Sequence, residues 1–540
     1  MSWNLGDLFE GVVDALPEAE AVVCGPVRLT FADLDQRANR LAHFFMARGV
    51  EAGDHIGLAL SNGHPYLEAM LAAFKLRAVP VNVNYRYTAE ELKYLFDDAG
   101  LVGVLHDPGI GPAVAAASTA ARRRPWTVAV GAPGRPSALE QALATVRSGE
   151  RPRVPGRSGD DRYLLYTGGT TGMPKGVEWR HQDVLAAALG GGNPGGEPVT
   201  NPKELVANAV ASAGRTRCLP ASPFTHGTAH WMAFSTLFGG GTVVVDPAPG
   251  LRVEPVWDLV EGEAVTLLVI VGDAFARPLA DALNREPDRW DLSHLLLVLS
   301  GGAVLSPLAR NDLLAHLPGT VMVDSYGTSE TGGQASYATW PGQVHRSPGR
   351  SRFAPNQETA VLDRVLRPVA PGSGQVGWLA RRGHLPLGYR NDPGRSAKVF
   401  PTVDGVRWAL PGDLATVEAD GSMTLLGRGS SSINSGGEKV FPIEVEAALK
   451  EHPEVFDAVV VGVDDERWGQ RVAAVVQLRP GSGVSPPDLT EHCRGRLAGF
   501  KVPRLVVLVE DLVRLPSGKP DYPWTRSALA APDPGASATH

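Results

Sequence analysis

The chain has 540 residues, 43% hydrophobic and 20% charged, which is ample for a sizeable core and excludes a chain disordered throughout. Its 51 basic and 58 acidic residues leave a formal charge of −7, so nothing supports a global field for nucleic acid or anionic membranes, and any anionic ligand needs a local site. Three scattered cysteines, Cys24, Cys218 and Cys493, lack a CxxC pair and argue against a disulfide framework or structural zinc; a reducing cytoplasm is the simpler setting.

The first twenty residues read as a capped amphipathic helix without the basic and apolar regions of a signal peptide, and no apolar run reaches the ~18 residues of a membrane span. Amphipathic helices are expected over 31–48 and 90–99, and loops over the Arg-, Pro- and Gly-rich stretch 122–161 and over 189–198. A strand at 242–245, a helix at 255–260 and a strand at 267–271 make one βαβ unit. A strand at 295–300, a helix at 307–316 and a strand at 320–324 make another, so parallel sheet is predicted. Character changes at GRGSSSINSGG, which starts at Gly427. Beyond it a helix (442–450), strands (457–463, 472–478), a helix (487–497) and a strand (504–510) suggest a separate small domain, and residues 530–540 read as a disordered tail.

Four segments carry chemistry. In YLLYTGGTTGMPKGV (163–177) a strand runs into glycines that let backbone N–H groups turn toward an anion, with hydroxyls and Lys175 as further donors; a mobile phosphate-binding loop is expected. The spacing is not that of a Walker loop. VDSYGTSETGG (323–333) is expected as a loop at a strand's C-terminal end, with Glu330 placed for Mg²⁺, and SGGA (300–303) is expected to face it across a cleft. Asp413 after Gly412, and Arg428 after Gly427, suit a ribose and its phosphate. LPSGK, ending at Lys519, is bland by itself. HGTAH places His226 and His230 on one helical face, where a gating histidine beside an incidental one is preferred to a metal pair.

In this order, YTGGTTGMPKGV, DSYGTSET, GWLARRGHLPLGY (377–389), PGD (411–413), GRGSSSINSGGEKVFPIEVE (427–446) and LPSGK resemble the adenylate-forming superfamily, most closely its acyl-CoA and aryl-CoA ligases, with phrasing similar to bacterial ligases of fatty acids and sterol side chains. The resemblance implies an α/β fold with a large multi-subdomain N-terminal domain of αβαβα type (1–428) and a small mobile α+β C-terminal domain (429–540), hinged at Ser430. It implies that Thr167, Gly168, Gly169, Thr170, Thr171, Gly172 and Lys175 hold the ATP phosphates, with Thr170 among the catalytic groups. Gly301, Gly302 and Ala303 with Asp324, Ser325 and Tyr326 would sandwich adenine, and Gly327, Thr328 and Ser329 lead to Glu330, the Mg²⁺ ligand. Asp413 and Arg428 would take the ribose, and Lys519 would bridge the substrate carboxylate and α-phosphate. His226, Gly227, Trp231, Gly301 and Gly333 would line the acyl pocket, with His226 at its mouth. Gly436, Gly437, Glu438, Trp468 and Phe500 would meet coenzyme A. The chain departs from the family's pattern at Ser430, Ser329, Pro411 and Val502.

The implied activity is ATP-dependent activation of a carboxylic acid to acyl-AMP and then acyl-CoA, with ATP, Mg²⁺ and coenzyme A as co-reactants. No catalytic cysteine, nucleic acid or membrane span is called for. Transfer of the acyl group to a carrier protein or an amine, and a nucleotide-binding scaffold without turnover, stand as alternatives. No carrier domain is seen after Lys519, and a homodimer is left open.

Overall fold

The computed structural model describes residues 3–131, 137–146, 148–169, 172–343, 352–435, 438–465, 467–515 and 518–530. Thr170, Thr171, Gly436, Gly437 and the tail beyond Ala530 therefore lie outside the described residues.

Parallel strands are buried on both faces, so successive side chains feed different cores. Val22, Cys24, Val243 and Val245 enter one apolar cluster, while Val23 and Val244 on the same strands enter another. The first cluster also takes Ile56, Leu58, Tyr163 and Leu165 from a second sheet, and helices Leu5–Ala15, Phe31–Ala47, His64–Leu76 and Gly227–Phe238 pack within it. Helices Val253–Gly262, Gly272–Arg285 and Pro307–Ala315 cover the far side of one sheet. Ala89–Ala99 and Gly111–Ala120 cover the far side of the other. The result is an αβαβα stack built on sheets of thirteen and seven strands. Antiparallel strands from Arg352–Pro355 to Met423–Arg428 extend the larger sheet around their own core of Phe353, Val361, Leu379, Ala415 and Met423.

The last strand of the large sheet ends at Arg428, and the first of a five-stranded sheet is Ile433–Ser435. The helix Pro442–Lys450 and strands Val455–Asp465, Gly469–Leu478 and Leu505–Val509 form the small domain with its own core. No helix among the described residues is long and apolar enough to cross a membrane.

Two expectations need correction. The stretch 122–161 is not simply loop: Trp126–Ala129 is the edge strand of the seven-stranded sheet, and Ala138–Thr145 is a helix. Trp126 packs edge-on against Phe44 and tilted against Phe45, and Leu139 and Leu143, four apart, are buried, so a few anchors outweigh a loop-like composition. The segment 323–333 is likewise mostly sheet. Strand Val321–Thr328 pairs with Gly332–Thr339, leaving only a tight turn around Glu330.

Candidate active site

The glycine- and threonine-rich segment forms a hairpin. Strands Arg162–Gly169 and Gly172–Arg180 pair antiparallel, with Thr167 opposite Lys175 and Gly169 opposite Gly172. Strand pairing thus continues through Thr167 to Gly169 and Gly172 in the segment expected as a loop, and Thr170 and Thr171 lie outside the described residues. Lys175 is partly exposed. Burial, then the nearby Arg395 charge, holds its amino group below the ordinary lysine value, although Asp392 and Glu330 oppose this.

Glu330 sits on a turn that is held from several sides. Tyr389 Oη donates to Glu330 Oε1 at 2.8 Å, and the Glu330 N–H donates to Thr328 Oγ1 at 3.2 Å. Trp179 Nε1 donates to the Ser329 carbonyl at 3.0 Å, and Arg381 donates to the carbonyls of Thr331 and Gly333 at 2.5 and 2.6 Å. A Cβ on Gly327 would lie 2.2 Å from the Gly332 carbonyl oxygen, so only glycine allows the chain to double back here.

Strand pairing also sets Asp413 opposite Arg428, with Oδ1 3.4 Å from Nε. The buried Tyr326 Oη and Asp413 carboxylate lie close enough to interact, and neither Tyr326 Oη nor Asp413 Oδ2 has another partner among the described residues. Such a pair suits a hydroxyl-bearing ligand that can join it. Lys519 is set deep among atoms of both domains while its side chain keeps exposed surface, as a residue lining an open cleft does. Burial and the Arg428 charge pull its amino group below the ordinary lysine value, against the opposing Glu330 and Asp413. Arg428 is held above its ordinary value because Asp413 and Glu330 outweigh its burial. Lys519 and Arg428 are thus within charge range of Glu330 and Asp413, and Lys175 is within range of Glu330 and Arg428. Such prepositioned, mutually repelling cations suit a polyphosphate.

SGGA and the Glu330 strand do not face each other across a cleft, as expected from the sequence. They are hydrogen-bonded neighbours, with Ser300 opposite Asp324 and Gly301 opposite Ser325. Parallel β-strands joined through one helix usually lie side by side, which explains the difference. Gly302 is exposed with φ +90°, beside Ala303. Asp324, expected at adenine, is buried and accepts from Arg310 Nη2 at 3.2 Å; burial still raises its carboxyl to about 7. Its carboxylate faces inward, leaving Ser325 and Tyr326 as the more accessible residues.

His226 occupies the N-cap position of the helix Gly227–Phe238 without a side-chain capping bond, its Nε2 buried without a partner. Burial, then the Lys519 charge, lowers its imidazole to about 4. His230 is occupied at both ring nitrogens, by the Phe224 carbonyl at Nδ1 and by Tyr163 Oη at Nε2. It is a satisfied core histidine. Trp231 Nε1 donates to the same tyrosine at 3.0 Å, and its ring lies 3.1 Å from where a Gly227 Cβ would be. On the sheet face toward Thr228, the side chains of Leu297, Leu299, Val321 and Val323 are only half-buried, and Met232 packs there. Buried parallel sheet ordinarily covers both faces, so this row is apolar surface left partly open near Gly301. Gly333 is exposed on the neighbouring strand.

The remaining site residues stand apart. Glu438 and Phe500 are exposed and Trp468 half-buried, on the small domain. Ser430 is exposed in the short turn Gly429–Ser431. Sequence reasoning missed Tyr389, Arg381 and Arg310. The first two lie within GWLARRGHLPLGY, but they act through the Glu330 turn, and chain spacing does not show that.

The family described as AMP-binding enzyme matches residues 9–389, and the AMP-binding enzyme C-terminal domain matches 444–519. The 3-oxocholest-4-en-26-oate–CoA ligase of Rhodococcus rhodochrous is 43% identical over 536 residues, covering 97% of this chain and 96% of that protein. The medium/long-chain-fatty-acid–CoA/3-oxocholest-4-en-26-oate–CoA ligase of Mycobacterium tuberculosis (strain ATCC 25618 / H37Rv) is 44% identical over 534 residues, covering 98% and 96%. Among solved structures, ATP-bound MatB from Rhodopseudomonas palustris superposes with a TM-score of 0.80 at 25% identity, covering 98% of this chain and 99% of that one.

Proposed function

The chain belongs to the AMP-binding enzyme family, and from that premise we propose that it converts an apolar carboxylic acid to its acyl-CoA at the cleft around Lys519. It is an AMP-forming acyl-CoA synthetase, an acid–thiol ligase. One observation supports the assignment of chemistry to residues: Lys519 of the small domain lies within charge range of Glu330, Asp413, Arg428 and His226 of the large one, and Lys175 shares Glu330 and Arg428 with it.

The carboxylate oxygen attacks the α-phosphorus of ATP, the bond to the bridging oxygen breaks, and pyrophosphate leaves as acyl-AMP forms. This chemistry depends mainly on positioning and charge neutralisation. Lys519 neutralises the α-phosphate and orients the carboxylate. Lys175 and the hairpin hold the leaving pyrophosphate, and Asp413 with Tyr326 takes the ribose hydroxyls. The thiol of coenzyme A then loses its proton to solvent and its sulfur attacks the carbonyl carbon; the bond from that carbon to the phosphate oxygen breaks, and AMP leaves with the oxygen and the electron pair.

Glu330 has one oxygen occupied by Tyr389, and no group of three or more His, Cys, Asp or Glu among the described residues is placed to hold a metal. A lone carboxylate suits Mg²⁺ that takes its other ligands from phosphate and water. When bound, the ion offsets charge on the phosphate oxygens.

The apolar row Leu297, Leu299, Val321 and Val323 supports a medium- or long-chain, branched or steroid-like acid, in keeping with the acids in the relatives' names. The small domain presents Glu438, Trp468 and Phe500 to coenzyme A after adenylation, turning about Ser430. A panel of fatty, branched and steroid side-chain acids with ATP, Mg²⁺ and coenzyme A, read by mass spectrometry, tests this reading. AMP, pyrophosphate and acyl-CoA are expected. ADP with orthophosphate overturns the chemistry, and AMP without acyl-CoA moves the acceptor to a carrier protein or an amine.

A further inference from the structure

Lys519 can act only if the small domain docks in one register, and an apolar interface would not specify that register closely. The two domains instead meet through a line of buried charges. On the large domain, helix Gly272–Arg285 begins beside the SGGA turn, where the Gly272 N–H donates to Ser300 Oγ at 3.0 Å and the Ser306 N–H donates to Asp273 Oδ1 at 2.7 Å. Asp273 Oδ2 then faces Lys450 Nζ of the small domain at 3.4 Å. Arg277, one turn on, donates to the Val455 carbonyl of the small domain at 3.0 Å. Lys450 continues to Asp457 Oδ1 at 3.1 Å, and Arg514 grips both Asp457 oxygens at 2.5 and 2.8 Å. Arg514 Nη1 finally donates to the Gly518 carbonyl at 3.0 Å, next to Lys519.

Gly518 closes the circuit sterically. Its φ is +72°, and a Cβ there would lie 3.0 Å from Val271 Cγ1 and 3.4 Å from Ala274 Cβ, on either side of Asp273. Asp273, Arg277, Lys450 and Asp457 are all nearly inaccessible. Burial pushes the Asp273 carboxyl up, but the Lys450 and Arg277 charges outweigh it and hold the group below its ordinary value. Buried ion pairs add little stability over apolar packing, but leaving one partner buried without the other is costly, which disfavours dockings that separate Asp273 from Lys450. The large domain thereby sets the place of the loop that carries Lys519.

We infer that the Asp273–Lys450–Asp457–Arg514 chain positions Lys519 for adenylation, with Asp273 and Lys450 as the pair that couples the two domains. This rests on the role given to Lys519 above. These are positioning residues, because none of them lines the cleft.

The test measures pyrophosphate release in one turnover without coenzyme A, using dodecanoate or the fastest acid of the panel. It also measures acyl-CoA formed from supplied acyl-AMP. Lys450→Met and the isosteric Asp273→Asn are each expected to slow pyrophosphate release by about 10- to 100-fold, the effect of displacing a reacting group by ~1 Å. The KM for ATP and the thioester step are expected to stay within about threefold. Lys450→Arg, which keeps the charge, is expected to recover most of the rate. A residue acting through Lys519 costs little once that lysine is gone, so Lys450→Met in a Lys519→Ala background is expected to cost less than about twofold more. Arg479→Ala removes the half-exposed Arg479–Asp281 bridge across the same interface and serves as a control expected to change neither step. Adenylation within twofold of the parent in both variants overturns the inference, as does an equal loss in the two backgrounds. Full adenylation by Lys519→Ala overturns instead the reading beneath it. If Lys450→Met does not fold, Asp273→Asn carries every comparison.

Discussion

The two ends of the small domain are in opposite situations. At one end Lys519 keeps exposed surface but lies within range of large-domain charges, and its amino group, with Lys175 and His226, is shifted by burial and by neighbouring charge. At the other, Glu438 and Phe500 lie open to solvent, and Trp468 is flanked by the guanidinium groups of Arg467 and Arg504 at 4.8 and 5.2 Å. Burial and opposing charges converge on Lys519, and no such convergence marks Glu438, Trp468 and Phe500. Under the proposed function, the first end serves adenylation and the second serves coenzyme A.

Removing the lysine charge breaks the first end and gives the largest effect. Lys519→Ala is expected to lose ~10²–10³-fold or more in pyrophosphate release, the cost of a preorganised charge-stabilising group, while supplied acyl-AMP still yields acyl-CoA at a similar rate. Equal loss of both steps would remove the distinction between the two ends. A smaller effect at the same end comes from Tyr389→Phe, which frees the oxygen of Glu330 that Tyr389 holds. A hydrogen bond to a charged group contributes about 1.5–3 kcal/mol, so the Mg²⁺ concentration for half-maximal rate is expected to rise about tenfold.

At the open end, Trp468→Ala is expected to raise the KM for coenzyme A several-fold and to leave pyrophosphate release without coenzyme A unchanged. A changed adenylation rate would place Trp468 in the cleft instead. The smallest effect concerns pH. His226 and His230 are lowered to about 4 in the folded chain, against about 6.5 when unfolded. Between those values the unfolded chain binds more protons, so stability rises with pH there and is lost as pH falls below about 6.5. Melting temperature measured from pH 7 to 4 is expected to fall less steeply in His226→Asn than in the parent. The same substitution is expected to change acid selectivity more than ATP affinity.

Local sequence carried much of this protein. The helix predicted over 442–450 and the strand over 242–245 appear with those bounds, because period, capping and turn residues act within a few positions of each other. The grouping of Thr167, Lys175, Glu330, Asp413, Arg428 and Lys519 came from the order of motifs along the chain and the family they resemble, since LPSGK and the Asp413 turn are bland one by one. Tertiary structure alone decided the rest. It turned Asp324 inward to Arg310, occupied both nitrogens of His230, and gave the Glu330 turn its supports in Tyr389, Trp179 and Arg381. It also joined Asp273 to Lys450 across 177 positions of chain. Those contacts unite residues far apart in sequence, and whether a buried charge finds a partner depends on which surfaces the folded layers bring together.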